Sequence, residues 1–304
     1  MDFKQIEAFA NVVKYKSFSK AGDACFLTQP TISAHIGTLE KELGIQLIDR
    51  GSKEVKPTKQ GELFFKYAID MINTRERAIH SLQGFSSNIE GILEIQASTI
   101  PGQYLVPQLM CQFKEKYPKV RYYMEQSGSR MVMENLLEHK GEIGFTGDKG
   151  VDRLDYSLLK KDKVVLITPD NRKFRQIYEK SKTIQLKDFI KEPFLFREKG
   201  SGTRKEFEEK ITGMGYIAKN LNVVARINSM GAIKQAVSYG LGISMVSEIA
   251  VDTGCERDQK GYLHFTIEDC NMDRAFYLVT NPKVCLSPAA ETFKNFTMAC
   301  YSEK

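Results

Sequence analysis

At 304 residues, with 42% hydrophobic and 27% charged side chains, the chain is long enough for two or three domains with proper cores and has the composition of a soluble globular protein. No run approaches the roughly 20 apolar residues of a membrane span, and the opening MDFKQIEAFA lacks the basic-then-apolar layout of a signal peptide, so the expectation is a cytoplasmic protein with no membrane partner. The net charge of +6 does not by itself indicate nucleic acid, because residues 1–90 hold twelve Lys and Arg against eleven Asp and Glu.

Residues 1–90 read as helices with one interruption. Phe3, Ile6, Phe9, Ala10 and Val13 recur at helical spacing, giving a first helix that ends near Lys16. Ser19 is suited to cap a short second helix running through Leu27, and Thr28 a third, since a hydroxyl there accepts from amides of the first turn. Pro30 fits that first turn, and Gly44 is a good left-handed terminator. Ile32, Ile36, Leu39 and Leu43 form the apolar stripe, with Phe9, Val13 and Leu27 expected behind it. Next comes IQLIDRGSKEVKPT, two extended pieces around Arg50-Gly51-Ser52 in the pattern of a small wing. Thr58 then opens a helical stretch to about Gly84 or Ser87, apolar on more than one side, for which a second copy of itself is the simplest partner.

The third helix carries short polar groups where a surface helix usually carries Lys and Glu. A helix enters a DNA major groove only if its leading residues are short and able to hydrogen-bond toward base edges. Gln29, Thr31, Ser33 and His35 meet that requirement, beside Ser19, Thr28 and Pro30 at the turn, while Arg50, Lys53 and Lys56 on the wing are placed to meet phosphates. The same spacing also suits a three-helix bundle with a merely solvated polar face.

Past Gly91 strands and helices alternate, which predicts parallel sheets flanked by helices. The predicted strands are ILEIQAS, VRYYMEQS, EIGFTG, KVVLITP, PFLFRE, NVVARIN, GISMVSE, YLHFTI and AFYLVTN; the predicted helices cover 101–117, 129–139, 171–180, 203–213, 229–239 and a last one from about 287. Ser129, Thr203, Ser229 and Ser287 stand at helix starts, and Thr203 with Glu206 has the spacing of a capping box. In open α/β sheets ligands sit beyond the carboxyl ends of strands, where helix N-termini offer free amides. Candidates at such ends are Ser98, Thr99 and Gln103, then Ser127 and Ser129, then Thr146, then Arg197, Ser201 and Thr203, with Met230 at the start of a later helix. Hydroxyls, amides and one Arg suit a small anion, an oxyanion or a carboxylate.

The stretch FANVVKYKSFSKAGDACFLTQPTISAHIGTLEKELGIQLIDR resembles the DNA-binding domain of LysR-type transcriptional regulators, with SFSKA, TQPTIS and LEKELG in the usual order and spacing. The resemblance extends over the whole chain and implies an α/β multidomain protein. Residues 1–58 would form a winged helix-turn-helix, 59–90 a long dimerising linker helix, and 91–304 a two-lobed α/β effector domain like periplasmic binding proteins. Within it, 91–161 and 267–304 would make lobe I and 162–266 lobe II. It further implies binding of a homodimer, assembling to a homotetramer, to a pseudo-palindromic site in double-stranded DNA. Gln29, Thr31 and Ser33 would then contact bases or phosphates and Arg50 would serve on the wing, while a small effector binds between the lobes. Two positions depart from the pattern: Gly22 stands where a second Ala is usual, at about 1 kcal/mol of helix propensity, and Ile48 where an aromatic is usual.

Ser98, Thr99, Thr146 and Ser201 match effector-contact positions of members that respond to sulfur-assimilation anions. STIPGQYLVPQLMCQFKEKYP is similar to a subgroup associated with selenium metabolism. These likenesses imply a sulfur or selenium oxyanion as effector, with an organic carboxylate or amino-acid-like metabolite as the alternative.

Other function classes have little support. There is no G-x-S-x-G elbow, no Walker pattern and no G-x-G-x-x-G after the first strand, so catalysis is not expected. A solute-binding receptor for transport would suit the second half alone but not the N-terminal helices. Six dispersed cysteines and four dispersed histidines give no local metal or disulfide pattern, and no cofactor is expected.

Overall fold

The computed structural model describes residues 1–49, 51, 54–82, 89–198, 200–252 and 261–302. Helix α1, Phe3–Tyr15, starts on a reciprocal cap in which Asp2 accepts from the Gln5 amide at 2.8 Å and Gln5 accepts from the Asp2 amide at 3.1 Å. Helix α2, Phe18–Cys25, is capped by Ser17 rather than Ser19: the Ser17 hydroxyl accepts from the Lys20 amide at 3.3 Å, because the helix begins one residue before Ser19. Helix α3, Gln29–Leu43, is capped by Thr28, takes Pro30 in its first turn and ends at Gly44 with φ 70°.

Ile32, Ile36 and Leu39 are fully buried against Phe9, Val12 and Ala21, with Val13 at the margin. Leu27, expected in that core, is exposed. The chain reverses at Phe26 in a left-handed conformation, φ 56°, which leaves both residues outside. The same turn explains Gly22. A Cβ there would come within 2.6 Å of the Leu27 carbonyl oxygen, so the glycine permits the turn's close approach instead of merely weakening α2.

Strands β1, Ile48–Asp49, and β2, Lys56–Pro57, pair antiparallel as the wing. Helix α4, Lys59–Leu82, begins on Thr58, whose hydroxyl accepts from the Gly61 amide at 3.0 Å and donates to the Gln46 carbonyl at 2.7 Å. A Cβ on Gly61 would lie 2.0 Å from the Leu47 carbonyl oxygen, so only glycine lets α4 dock on the chain leading into the wing. Further along, α4 leaves Leu63, Tyr67, Ile79 and Leu82 exposed.

The second half opens with β3, Gly91–Ser98, then a single π-type turn over Pro101–Leu105 leading into α5, Val106–Lys116. There follow β4, Val120–Ser127; α6, Ser129–Leu137; β5, Ile143–Thr146; and β6, Asp155–Pro169. Next are α7, Arg172–Lys180; β7, Thr183–Ile184; α8, Leu186–Phe189; β8, Phe194–Phe196; α9, Gly202–Gly213; and β9, Val223–Arg226. The chain finishes with α10, Met230–Ser238; β10, Ser244–Ser247; α11, Glu248–Asp252; β11, Tyr262–Ile267; β12, Asp273–Thr280; and α12, Pro288–Ser302.

The main sheet has the order β4-β3-β5-β12-β6-β11-β7, with β10 also on β6, and β8 and β9 form a separate parallel pair. The predicted parallel pairing holds for β3, β4 and β5, for β8 and β9, and for β11 and β7, whereas β12, β10 and β11 run antiparallel to β6. Strand β6 is longer than KVVLITP. Its first half is largely solvated, so hydrophobicity announces only the part from Val164 onward. That first half pairs with β12 and its second half with β10 and β11, so β6 crosses from one lobe to the other.

Each lobe has its own core. One gathers Ile95, Phe113, Phe145 and Phe293; the other gathers Phe174, Phe194, Phe207 and Phe265, with Phe194 stacked on Phe207 at 5.7 Å. No helix among the described residues is long and apolar enough to cross a membrane.

Candidate functional site

Two regions collect the candidate residues. On α3 the buried stripe leaves an outward face whose most exposed line is Pro30, Ala34 and Thr38, flanked by half-buried Thr31, Ser33 and His35 and led by exposed Gln29. Thr31 is held in place: its hydroxyl lies 2.8 Å from that of Thr28, and its amide donates to the Thr28 oxygen at 3.4 Å. The face is narrow and carries no charged side chain before Glu40, so nothing on it obstructs approach to base edges. Ala34 and Thr38 complete it, and both follow from 3.6-residue periodicity once Pro30 is fixed at the front. Ser19 is exposed on α2, and Lys56 is exposed on the wing, 3.0 Å from Glu54. Arg50 and Lys53 lie outside the described residues.

The second region is a narrow cleft between the lobes, lined by Ser98, Thr99, Ser129, Arg197, Ser201 and Thr203 together with Gly128, Gly147, Glu198, Glu206, Arg274 and Phe276. Strand ends deliver the first group, and the helices that follow present their N-termini: α6 from Gly128, α9 from its cap Ser201, which accepts from the Arg204 amide at 3.5 Å. Thr203 therefore sits inside the first turn of α9 and does not cap it. A hydroxyl two residues earlier already has the extended cap geometry, φ −66° and ψ 120°.

Four expected ligand residues do not line the cleft. Gln103 is exposed, the Ser127 hydroxyl donates to the Gly128 carbonyl at 3.4 Å, Thr146 is fully buried and accepts from the Asp148 amide at 3.2 Å, and Met230 packs in an apolar cluster with Ile233 and Val246.

The electrostatics of the cleft rest on paired charges. Arg197 is buried and donates to both Glu198 oxygens at 2.8 Å, with a further donation to the Thr99 hydroxyl at 3.4 Å. Burial pushes the Glu198 carboxyl up, but the hydrogen bond and charge of Arg197 outweigh it and hold the group below its ordinary range, so it stays ionised at neutral pH. Arg274, which sequence reasoning missed, donates through Nε to buried Asp162 at 2.6 Å and through Nη1 to the Thr203 hydroxyl at 2.9 Å. Nothing local to its DRAFYL segment marks it, since its partners lie 112 and 71 residues away. Arg197–Thr99 and Arg274–Thr203, with Lys205–Asp148 at 3.4 Å, are struts between the lobes. Among the described residues no group of three or more His, Cys, Asp or Glu side chains could hold a metal ion.

A third set of contacts joins the regions. Asn73 on α4 donates to the Cys285 carbonyl at 2.7 Å and to Glu142 at 3.4 Å, Asp70 accepts from the Cys285 amide at 3.2 Å, and Lys14 on α1 meets Glu94 on β3 at 2.6 Å. Glu142 also accepts from the Ser287 amide at 2.7 Å and its hydroxyl at 3.0 Å. Burial, helped by Glu94 and Glu76 and opposed by Ser287, raises its carboxyl to about 7.

A slim, hydrogen-bonding recognition helix tied through a long helix to a two-lobed binding module is the architecture of a ligand-responsive, DNA-binding transcriptional regulator. Residues 3–62 match the model of the bacterial regulatory helix-turn-helix protein, lysR family, and residues 86–299 match that of the LysR substrate binding domain. An uncharacterised HTH-type transcriptional regulator of Methanocaldococcus jannaschii is 33% identical over 291 residues, spanning 95% of this chain and 96% of its own. Full-length OxyR from Pseudomonas aeruginosa superposes with a TM-score of 0.76 at 18% identity, over 98% of this chain and 95% of its own. Full-length CbnR in complex with its target DNA does so with 0.60 at 16%, over 100% and 99%. The chain belongs to the LysR family of transcriptional regulators.

Proposed function

We propose that α3 reads promoter DNA through Gln29, Thr31, Ser33 and His35, with Ala34 and Thr38 on the same face, and that a small effector bearing an anionic group binds in the interlobe cleft and alters that binding. In this reading residues 1–58 bind DNA, 59–90 form the dimer through the exposed apolar side of α4, and 91–304 sense the effector. The observation that carries the reading is the conjunction of a charge-poor outer face on α3 with a cleft into which two helix N-termini and two arginines converge.

A sulfur or selenium oxyanion agrees with the hydroxyls and amides of the cleft. An organic carboxylate or amino-acid-like effector is favoured by the two carboxylates, Glu198 and Glu206, that share its lining, since a dianion would face both. The test is selection of bound fragments from a genomic DNA library by the full-length protein, with and without sulfate, thiosulfate, selenite, O-acetylserine and simple carboxylates. A recovered pseudo-palindrome whose affinity shifts with one of them is expected. Unselective recovery of DNA in every condition would overturn the reading.

A further inference from the structure

Among the described residues, Arg274 Nη2 is buried and has no hydrogen-bond partner, in a side chain that is only 7% exposed. Burying such a donor unpaired is unfavourable, and native sites that hold one do so for a reason. The guanidinium is not free to turn away. Nε is fixed by Asp162, itself engaged by the Ser247 hydroxyl at 2.8 Å; Nη1 is fixed by Thr203; and the plane lies over the Phe276 ring at 5.0 Å. Arg274 lines the cleft, and through Nη1 and Thr203 its guanidinium is anchored to the first turn of α9, whose leading amides have no acceptor within the helix. Because Thr203 accepts from Arg274, its own O–H is left to donate as well. Arg197 differs in that Glu198 engages it bidentately, through Nε and Nη2, whereas Asp162 engages Arg274 through Nε alone.

One turn beyond Thr203, Glu206 lines the same cleft, with Lys210 at a loose 3.8 Å. The cleft thus offers an unsatisfied cationic donor with helix amides and a carboxylate. Its two arginines are already charge-matched by Glu198 and Asp162, which leaves Glu206 as a further carboxylate in the lining, a pattern that matches a ligand carrying both signs better than a dianion.

We infer that the cleft takes a small zwitterion of the α-amino-acid type, its carboxylate on Arg274 Nη2 and the first amides of α9, its ammonium toward Glu206. The inference rests on the cleft being the effector site.

Isothermal titration of the full-length protein with the twenty standard L-amino acids, their deaminated carboxylates and sodium sulfate tests it. At least one amino acid binds saturably, and at least about tenfold more tightly than its deaminated counterpart. Glu206→Gln, on a partly exposed helix position, brings the two level. Arg274→Lys keeps a cation for Asp162 but cannot reproduce the planar fork, and weakens amino-acid binding about 10- to 100-fold. Sulfate or a deaminated carboxylate binding as tightly as every amino acid, no binding by any of the panel, or affinity unchanged in both variants would each overturn the inference. Gly128→Trp separates this from the underlying reading: amino-acid binding that persists with the cleft so blocked means that the ligand sits elsewhere and the effector site itself was misassigned.

Discussion

The face of α3 and the interlobe cleft are built in opposite ways. The α3 face is convex, its polar residues fall within ten consecutive positions, and its hydrogen bonds close within three residues, as between Thr28 and Thr31. The cleft is concave and draws on segments around 98, 128, 147, 200 and 274, with polar contacts that span 71 to 112 residues. The α3 face needs little beyond a well-packed helix behind it, whereas the cleft exists only if both lobes and the paired strands β6 and β12 are in register. Substitutions on the first should alter binding without altering the fold, and those on the second or at the joints should alter both.

The largest effect is expected from Thr31→Glu, which puts a carboxylate on the recognition face amid phosphates. Loss of about 1–3 kcal/mol per subunit amounts to roughly 30-fold or more in operator affinity for a dimer, with the circular dichroism spectrum and melting temperature unchanged; gel-shift titration checks it. Gly61→Ala tests the opposite side of the comparison. A Cβ 2.0 Å from the Leu47 carbonyl forces the backbone apart, at a cost of about 1–3 kcal/mol or more, read by thermal melting, and weakens DNA binding indirectly by shifting the wing.

Glu142 probes the joint between the two modules. Its carboxyl, raised from 4.5 to about 7 in the folded chain, binds more protons there than when unfolded, so its contribution to stability is full below pH 4.5 and is lost as pH rises toward 7. Glu142→Gln removes that titration. The variant gains on the parent progressively between about pH 4.5 and 8, by roughly 3 kcal/mol in all, and the difference is constant above that range, as urea melts at several pH values will show. A flat difference would mean that the carboxyl titrates normally.

Smaller still is Gly22→Ala. Helix propensity alone predicts a gain of about 1 kcal/mol, but the 2.6 Å approach to the Leu27 carbonyl predicts a net loss of about 1–2 kcal/mol. The sign of the change in melting temperature decides between the two. Breaking the Lys14–Glu94 pair with Lys14→Met should cost at most about 1 kcal/mol, because both side chains are partly solvated.

The amino-acid sequence by itself determined what short-range physics can determine. Period-3.6 burial on α1 and α3, the Thr28 cap, the Gly44 stop and the apolar strands after Gly91 are all decided by residues within a few positions of one another. It also brought Ser98, Thr99, Ser129, Arg197, Ser201 and Thr203 to strand ends, where sheet topology makes a cleft. Small shifts such as Ser17 for Ser19 and Ser201 for Thr203 arose because neighbouring hydroxyls compete for one cap and backbone dihedrals choose between them. Only the tertiary structure decided the rest. The early half of β6 is solvated and therefore silent in hydropathy, and Gly22 and Gly61 are required by carbonyls that other segments bring close. Arg274 becomes a cleft residue because Asp162 and Thr203, distant along the chain, fix two of its nitrogens and leave the third, among the described residues, without a partner. Local periodicity carries no information about such pairings, since they depend on how the lobes close over the strands that join them.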